Sequence, residues 1–212
     1  MSDQNDNREK LLKCAKREFL EKGYTKASLR KITAEAGLTT GAVYFFFKDK
    51  EGLFSAVVEK PLERIIAVLE RHNKEEAESD FASYQHVIGD HDDVALDLIN
   101  AMYEDYDAIM ILLHHAAGSA YENITDRFVA MLERDYTEPA KKFEQADSSK
   151  HTNSYMLHWL CHVQIDAFVH LLEHEPDKEK AKQHIRPVMD WLVTSWMDLA
   201  FTDESAFPHE VC

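Results

Sequence analysis

The chain has 212 residues, 45% of them hydrophobic, enough for a sizeable core in one or two domains. Only 6 Gly and 5 Pro argue against a many-turned β-fold and for long helices. The net charge of −15 is unevenly placed: residues 1–50 carry 11 Lys and Arg against 7 Asp and Glu, a net +4, and the rest carries 13 against 32, a net −19. A cationic end on an acidic body fits one nucleic-acid-binding face, because DNA affinity depends on cations near phosphates rather than on total charge. An accidental split is the alternative that charge alone leaves open.

No apolar run is long enough to span a bilayer, and the polar opening Met1-Ser2-Asp3-Gln4-Asn5-Asp6-Asn7 has no signal-peptide core. The chain is therefore expected in the cytoplasm, with no membrane partner. Cys14, Cys161 and Cys212 are far apart and form no CxxC pair, which argues against a disulfide framework or a cysteine zinc site. Cys161 reads as a buried small hydrophobe, with a redox sensor as the alternative.

From Asn7 to Lys22, Leu11, Leu12, Ala15, Phe19 and Leu20 recur at helical intervals, and Gly23 stops the helix. Ser28 is a good N-cap for a two-turn helix, Leu29 to Ala36, with Ile32 and Ala36 facing inward. Gly37 breaks it, Leu38 plugs the turn, and Thr39 or Thr40 caps a short helix through Phe47. Two short helices joined by a tight glycine turn and braced by a longer one predict a helix-turn-helix unit, with the motif at about residues 29–48. The second helix of such a unit enters the major groove. Its small and hydroxyl residues, Thr39, Thr40, Gly41 and Ala42, would allow close backbone approach to DNA.

A long helix is expected from Lys50 to about Asn73, interrupted and kinked by Pro61. Lys74 to Asp93 reads as containing a loop, with its clearest break at Gly89-Asp90. A helical region then runs from Ala95 to Leu113, Gly118-Ser119 punctuates the chain, and a helix covers about Tyr121–Ala146. Asp147 to Lys150 is a linker. Two long helices close the chain, about Asn153–Glu173 and Asp177–Ala200, more apolar than one core face needs.

The run from Gly23 through Ser28, Arg30, Ile32, Gly37, Thr39 and Tyr44, continued by Phe47, Lys50, Glu51 and Leu53, resembles the signature of TetR-family transcriptional regulators. The resemblance covers about residues 8–55. It implies an all-α fold: a three-helix helix-turn-helix domain at 1–52, then a larger helical ligand-binding and dimerisation domain at 53–212. Among the DNA-binding candidates, Ser28, Arg30, Thr39, Thr40, Gly41, Ala42, Tyr44, Phe45 and Lys50, the resemblance gives Arg30 a base edge or a phosphate. It gives Tyr44 and Lys50 phosphates and Phe45 bases or sugars. Ala42, Phe45 and Phe46 depart from the polar or cationic groups common there, so readout would lean on thymine methyls and DNA shape. For Phe45, core packing and DNA contact stay equally open.

The implied partners are double-stranded DNA, a second copy of the chain through the last two helices, and an unknown small-molecule effector. Candidate pocket residues are Tyr103, Tyr106, Met110, His114, Tyr121, Phe128, Met131, Trp159 and His162, aromatic and Met groups suited to a bulky apolar ligand. No cofactor, metal or catalytic residue is expected: there is no phosphate loop, Ser/His/Asp spacing or HExxH motif. The leading reading is a dimeric, ligand-responsive regulator, in the repressing sense, on a near-palindromic operator. One alternative is a helical metal- or pH-sensing protein or enzyme using the twelve His residues, several of them on the penultimate helix (His158, His162, His170, His174). Another is an architectural DNA binder without a ligand.

Overall fold

Helices make up nearly all of the computed structural model, which describes residues 2–78, 90–146 and 148–203. In chain order they are α1 Ser2–Lys26, α2 Leu29–Glu35, α3 Thr40–Phe47, α4 Lys50–Glu78, α5 Asp90–Glu104, α6 Tyr106–His114, α7 Ile124–Ala146, α8 Ser154–His174 and α9 Lys178–Ala200. A two-stranded antiparallel ribbon pairs β1 Lys150–Thr152 with β2 Phe201–Asp203, His151 opposite Thr202. The all-α architecture expected from the sequence is what the chain adopts.

The chain forms two compact units. The first comprises the described residues of 1–67 and 100–124. Its centre is Leu11, Ala15, Phe19, Ile32, Val43, Leu53, Phe54 and Val58, all fully buried. Phe54 takes Phe19 edge-on at 4.9 Å and Tyr24 edge-on at 5.1 Å, so aromatic packing joins α1 to α4. α6 is tied to α1 at both ends. At its start, Lys16 Nζ donates to both carboxylate oxygens of Asp105 at 2.7 and 2.6 Å, and at its end Tyr24 N–H donates to the His115 carbonyl at 2.7 Å.

The second unit comprises the described residues of 68–99 and 125–212. In it, α8 packs along α9. Ala140, Phe143, Leu160, Ala200 and Phe201 form one apolar cluster, with Trp196 and Leu199 against it. Val129, Leu132 and Cys161 form another. Cys161 is fully buried and burial pushes its thiol up to about 12, so it serves as a small hydrophobe here.

Several boundaries differ from expectation. α1 begins at Ser2, and helical geometry resumes after Gly23 (φ 71°) as far as Lys26. α4 passes through the buried Pro61 without interruption, as far as Glu78. A proline there removes one backbone hydrogen bond, and burial of Val57, Val58, Leu62 and Ile65 around it offsets that loss. The break expected at Gly89 lies outside the described residues, and α5 starts at Asp90. The single helical region expected across 95–113 is two helices, because Asp105 leaves helical geometry (φ −140°, ψ 66°) and its carboxylate caps Ala108 N–H at 3.3 Å. The start of α7 falls at Ile124. Lys150, read as linker, begins β1.

Candidate nucleic-acid interface

The helix-turn-helix unit is set by local signals. Ser28 Oγ accepts from Lys31 N–H at 3.4 Å and starts α2. Gly37 takes φ 70° and turns the chain, with its N–H donating to Ala34 O and Leu38 N–H to Thr33 O. Thr39 is the N-cap of α3 by its extended backbone, but its side chain makes no cap bond there. The hydroxyl is therefore not committed to the helix end that it precedes.

α3 has two contrasting faces. Val43 and Phe47 are buried and fix the helix against the unit. Tyr44 is 58% exposed and Phe45 70% exposed. Phe46 is half-buried and meets the Phe45 ring edge-on at 4.9 Å. Phe45 is thus not a core residue. Ser28, Arg30, Thr39 and Gly41 are exposed, and Thr40 and Ala42 are partly so.

Lys50 sits differently from the other candidates. Its ammonium donates to the Thr25 carbonyl at 3.2 Å and lies 4.9 Å from the centre of the Tyr24 ring. Partial burial lowers its pKa. Tyr24 itself is pushed up to about 12 by burial, with a hydrogen bond to Glu51 adding to the shift.

Two positioning groups escaped the sequence reading. Glu18 is only 3% exposed, accepts from Ser28 N–H at 3.2 Å and pairs with Lys31 Nζ at 2.6 Å. It therefore anchors the start of α2, and its carboxylate holds Lys31 above the ordinary lysine value. A charged residue falling on the apolar face of α1, next to Phe19, was the available signal. The other is Gly52, where an added Cβ would stand 1.9 Å from the Phe47 carbonyl oxygen. The end of α3 can approach the first turn of α4 only because this residue has no side chain. An isolated Gly inside a helical pattern was its signal.

The candidate effector residues divide between the two units. In the first, Tyr103 and Tyr106 are half-buried with ring centroids 5.3 Å apart, Met110 is half-buried, His114 is exposed, and Tyr121 meets Phe54 at 6.0 Å. In the second, Phe128 and Met131 are half-buried on α7. Trp159 is 41% exposed, and His162 lies 4.6 Å from His158, whose Nδ1 contacts the Glu133 carboxylate.

Residues 11–57 match the family model described as bacterial regulatory proteins, tetR family. The HTH-type transcriptional repressor Rv1474c of Mycobacterium tuberculosis is 39% identical over 64 residues, 30% of this chain and 34% of that protein. The HTH-type transcriptional repressor BepR of Brucella suis is 40% identical over 53 residues, 25% of each chain. These curated relatives are thus matched over about a third of their length or less. Two solved structures share the fold over most of the chain. A transcriptional regulator from Aquifex aeolicus has a TM-score of 0.58 at 21% identity, covering 88% of this chain and 99% of its own. A putative TetR-family regulator from Syntrophomonas wolfei has a TM-score of 0.59 at 20% identity, covering 90% and 96%.

Proposed function

We propose, from the premise that this chain belongs to the tetR family of bacterial regulatory proteins, that it is a ligand-responsive transcriptional repressor acting as a homodimer on a near-palindromic operator. Residues 1–52 read DNA, and 53–212 sense the effector and dimerise. The observation that carries this reading is α3. One of its faces is buried through Val43 and Phe47, and the other offers Tyr44 and Phe45 to solvent. Large aromatic groups exposed on a short helix suit a surface that is covered when DNA binds. Tyr44 gives its hydroxyl to a phosphate, Phe45 packs on sugars or thymine methyls, and Thr39, Thr40, Gly41 and Ala42 line the approach. Ser28 keeps a hydroxyl proton to donate, and Arg30 reaches a base edge or a phosphate.

Lys50 contributes positive potential from the start of α4, and with one of its three donors on the Thr25 carbonyl two remain for a phosphate. On the second unit Tyr155 and Trp159 lie one turn apart on α8, with Val188 and Trp191 on one side of α9, all exposed. These exposed apolar groups support dimerisation through the last two helices. An effector touching Tyr106, Met110 or His114 would act on α6, which Asp105 and His115 tie to α1, while Tyr103 lies on α5 against the Tyr106 ring and Tyr121 lies against Phe54 of α4. Such an effector shifts DNA affinity only through unequal affinity for the two states. Phe128, Met131 and His162 belong to the second unit and are effector candidates there by themselves.

The test is fluorescence anisotropy with a duplex from upstream of the protein's own gene, against a scrambled duplex, over a salt series. The expected result is preference for the upstream duplex and steep loss of affinity with salt. Tyr44→Phe should weaken binding to all sites about 3- to 10-fold, the worth of one hydrogen bond. Arg30→Ala should change the preference between sites if it reads a base. Equal affinity for both duplexes would overturn the repressor reading. The architectural alternative predicts that equality.

A further inference from the structure

The last turn of α8 is His170-Leu171-Leu172-Glu173-His174. Leu172 is buried and anchors the turn, while His170, Glu173 and His174 are exposed. Residues three and four apart share one helix face, and one ligating atom from each of these three side chains lies within 4.8 Å of the others. The two imidazole rings are already adjacent, with centroids 4.1 Å apart and planes tilted by 31°.

A second observation concerns the tautomer. His174 Nδ1 lies 2.8 Å from the His170 carbonyl oxygen. A carbonyl only accepts, so Nδ1 carries the proton and the lone pair is on Nε2. A hydrogen bond from the other ring nitrogen to a carbonyl is the usual arrangement for an imidazole that binds a metal, because it fixes the ring plane and the donor nitrogen. The turn also stands at the negative end of the helix dipole, which favours a cation.

We propose that His170, Glu173 and His174 form a binding site for a late first-row divalent cation, with zinc as the expected ion. Two imidazoles and one carboxylate suit zinc, nickel or copper, whereas magnesium and calcium require oxygen donors throughout. Three protein ligands leave a coordination position to water, so the ion is exchangeable. Donors around a tetrahedral zinc stand about 3.3 Å apart, given bonds of about 2.0–2.1 Å. From their present 4.8 Å span the donors would have to close by rotation of the His170 and Glu173 side chains, with the His174 ring staying on its carbonyl. The inference is independent of DNA binding and is tested without DNA.

The experiment is titration calorimetry of the tag-free full chain with zinc chloride, then nickel chloride, with magnesium chloride as the control. The expected result is one zinc per chain, no magnesium uptake, and a rise in melting temperature with zinc. His170→Ala and His174→Ala should each weaken zinc at least tenfold, and Glu173→Gln less. The His158→Ala/His162→Ala double variant, which removes the other adjacent pair on α8, should keep full affinity. All these positions are exposed or half-buried, so circular dichroism should show unchanged helix. Absence of zinc uptake, or uptake unchanged in the His170→Ala/His174→Ala variant, would overturn the site.

Discussion

Gly52→Ala separates local propensity from packing, because the two predict opposite signs. Alanine is the better helix former by about 0.8–1.0 kcal/mol, so a substitution judged on propensity stabilises α4. The structure places the new Cβ 1.9 Å from the Phe47 carbonyl oxygen and 3.0 Å from its carbonyl carbon. The clashing atoms are backbone, so no rotamer change relieves them. Relief requires the end of α3 and the first turn of α4 to separate, although Val43, Phe47, Leu53 and Phe54 are all buried. Overpacking of this kind costs about 1–3 kcal/mol, and a backbone contact at 1.9 Å falls in the upper part of that range, above the propensity gain. A net loss of about 1–2 kcal/mol is expected, or about 2–8 °C in melting temperature for a chain of this size. Differential scanning calorimetry and urea denaturation measure it. Gly41→Ala is the control, since a Cβ there meets only Thr39 Oγ1, at an ordinary 3.6 Å. It should be neutral or stabilising. A Gly52→Ala protein as stable as the parent would refute the proposed close approach of α3 to α4.

Asp105→Ala removes the α6 cap and the partner of Lys16 together, and should cost about 1–3 kcal/mol by urea denaturation. Asp105→Asn should retain most of the cap and lose less; equal losses would mean that the cap contributes little. For His115, burial holds the imidazole below its ordinary 6.5, and neighbouring His114 acts in the same direction. The unfolded chain then binds more protons than the native one, so the stability contributed by the neutral ring is complete above about pH 6.5 and is lost as pH falls below it. Melting temperature should fall between pH 7.5 and pH 5.5, less steeply in His115→Gln, and an identical slope in that variant would remove His115 from the account.

The features legible in the sequence were those specified by neighbours along the chain. Gly23 and Gly37 mark turns because each takes a positive φ, and Ser28 marks a helix start because its oxygen serves an amide three residues on. Features that depend on distant residues were not legible. The β1 segment Lys150–Thr152 has no strand pattern of its own and is held by Phe201–Asp203 some fifty residues later. The break at Asp105 was hidden because apolar spacing continues across it from Met102 to Ile109, and only its cap and Lys16 distinguish it. Lys50 shows the same limit at the candidate site. Its position in the motif suggested a phosphate ligand, but its contacts with the Thr25 carbonyl and the Tyr24 ring come from the end of α1, 25 residues earlier, and were not visible along the chain.

The paucity of polar groups on α3 follows from how this short helix is held. Val43 and Phe47 occupy its inner face, and Phe46 is half-buried against the edge of Phe45. Much of the remaining outer surface is aromatic, and Phe45, in contact with Phe46 along one edge, is still 70% exposed. Keeping such a ring in water is unfavourable by roughly 25 cal/mol per Å² of apolar surface, so a partner that covers it gains affinity without a hydrogen bond. On the proposed reading that partner is DNA. Sugars and thymine methyls then contribute through contact and groove shape, and the net +4 of residues 1–50 supplies the attraction to phosphate that Ala42, Phe45 and Phe46 do not. Affinity would accordingly depend strongly on salt, and discrimination would fall on A·T-rich steps more than on guanine contacts.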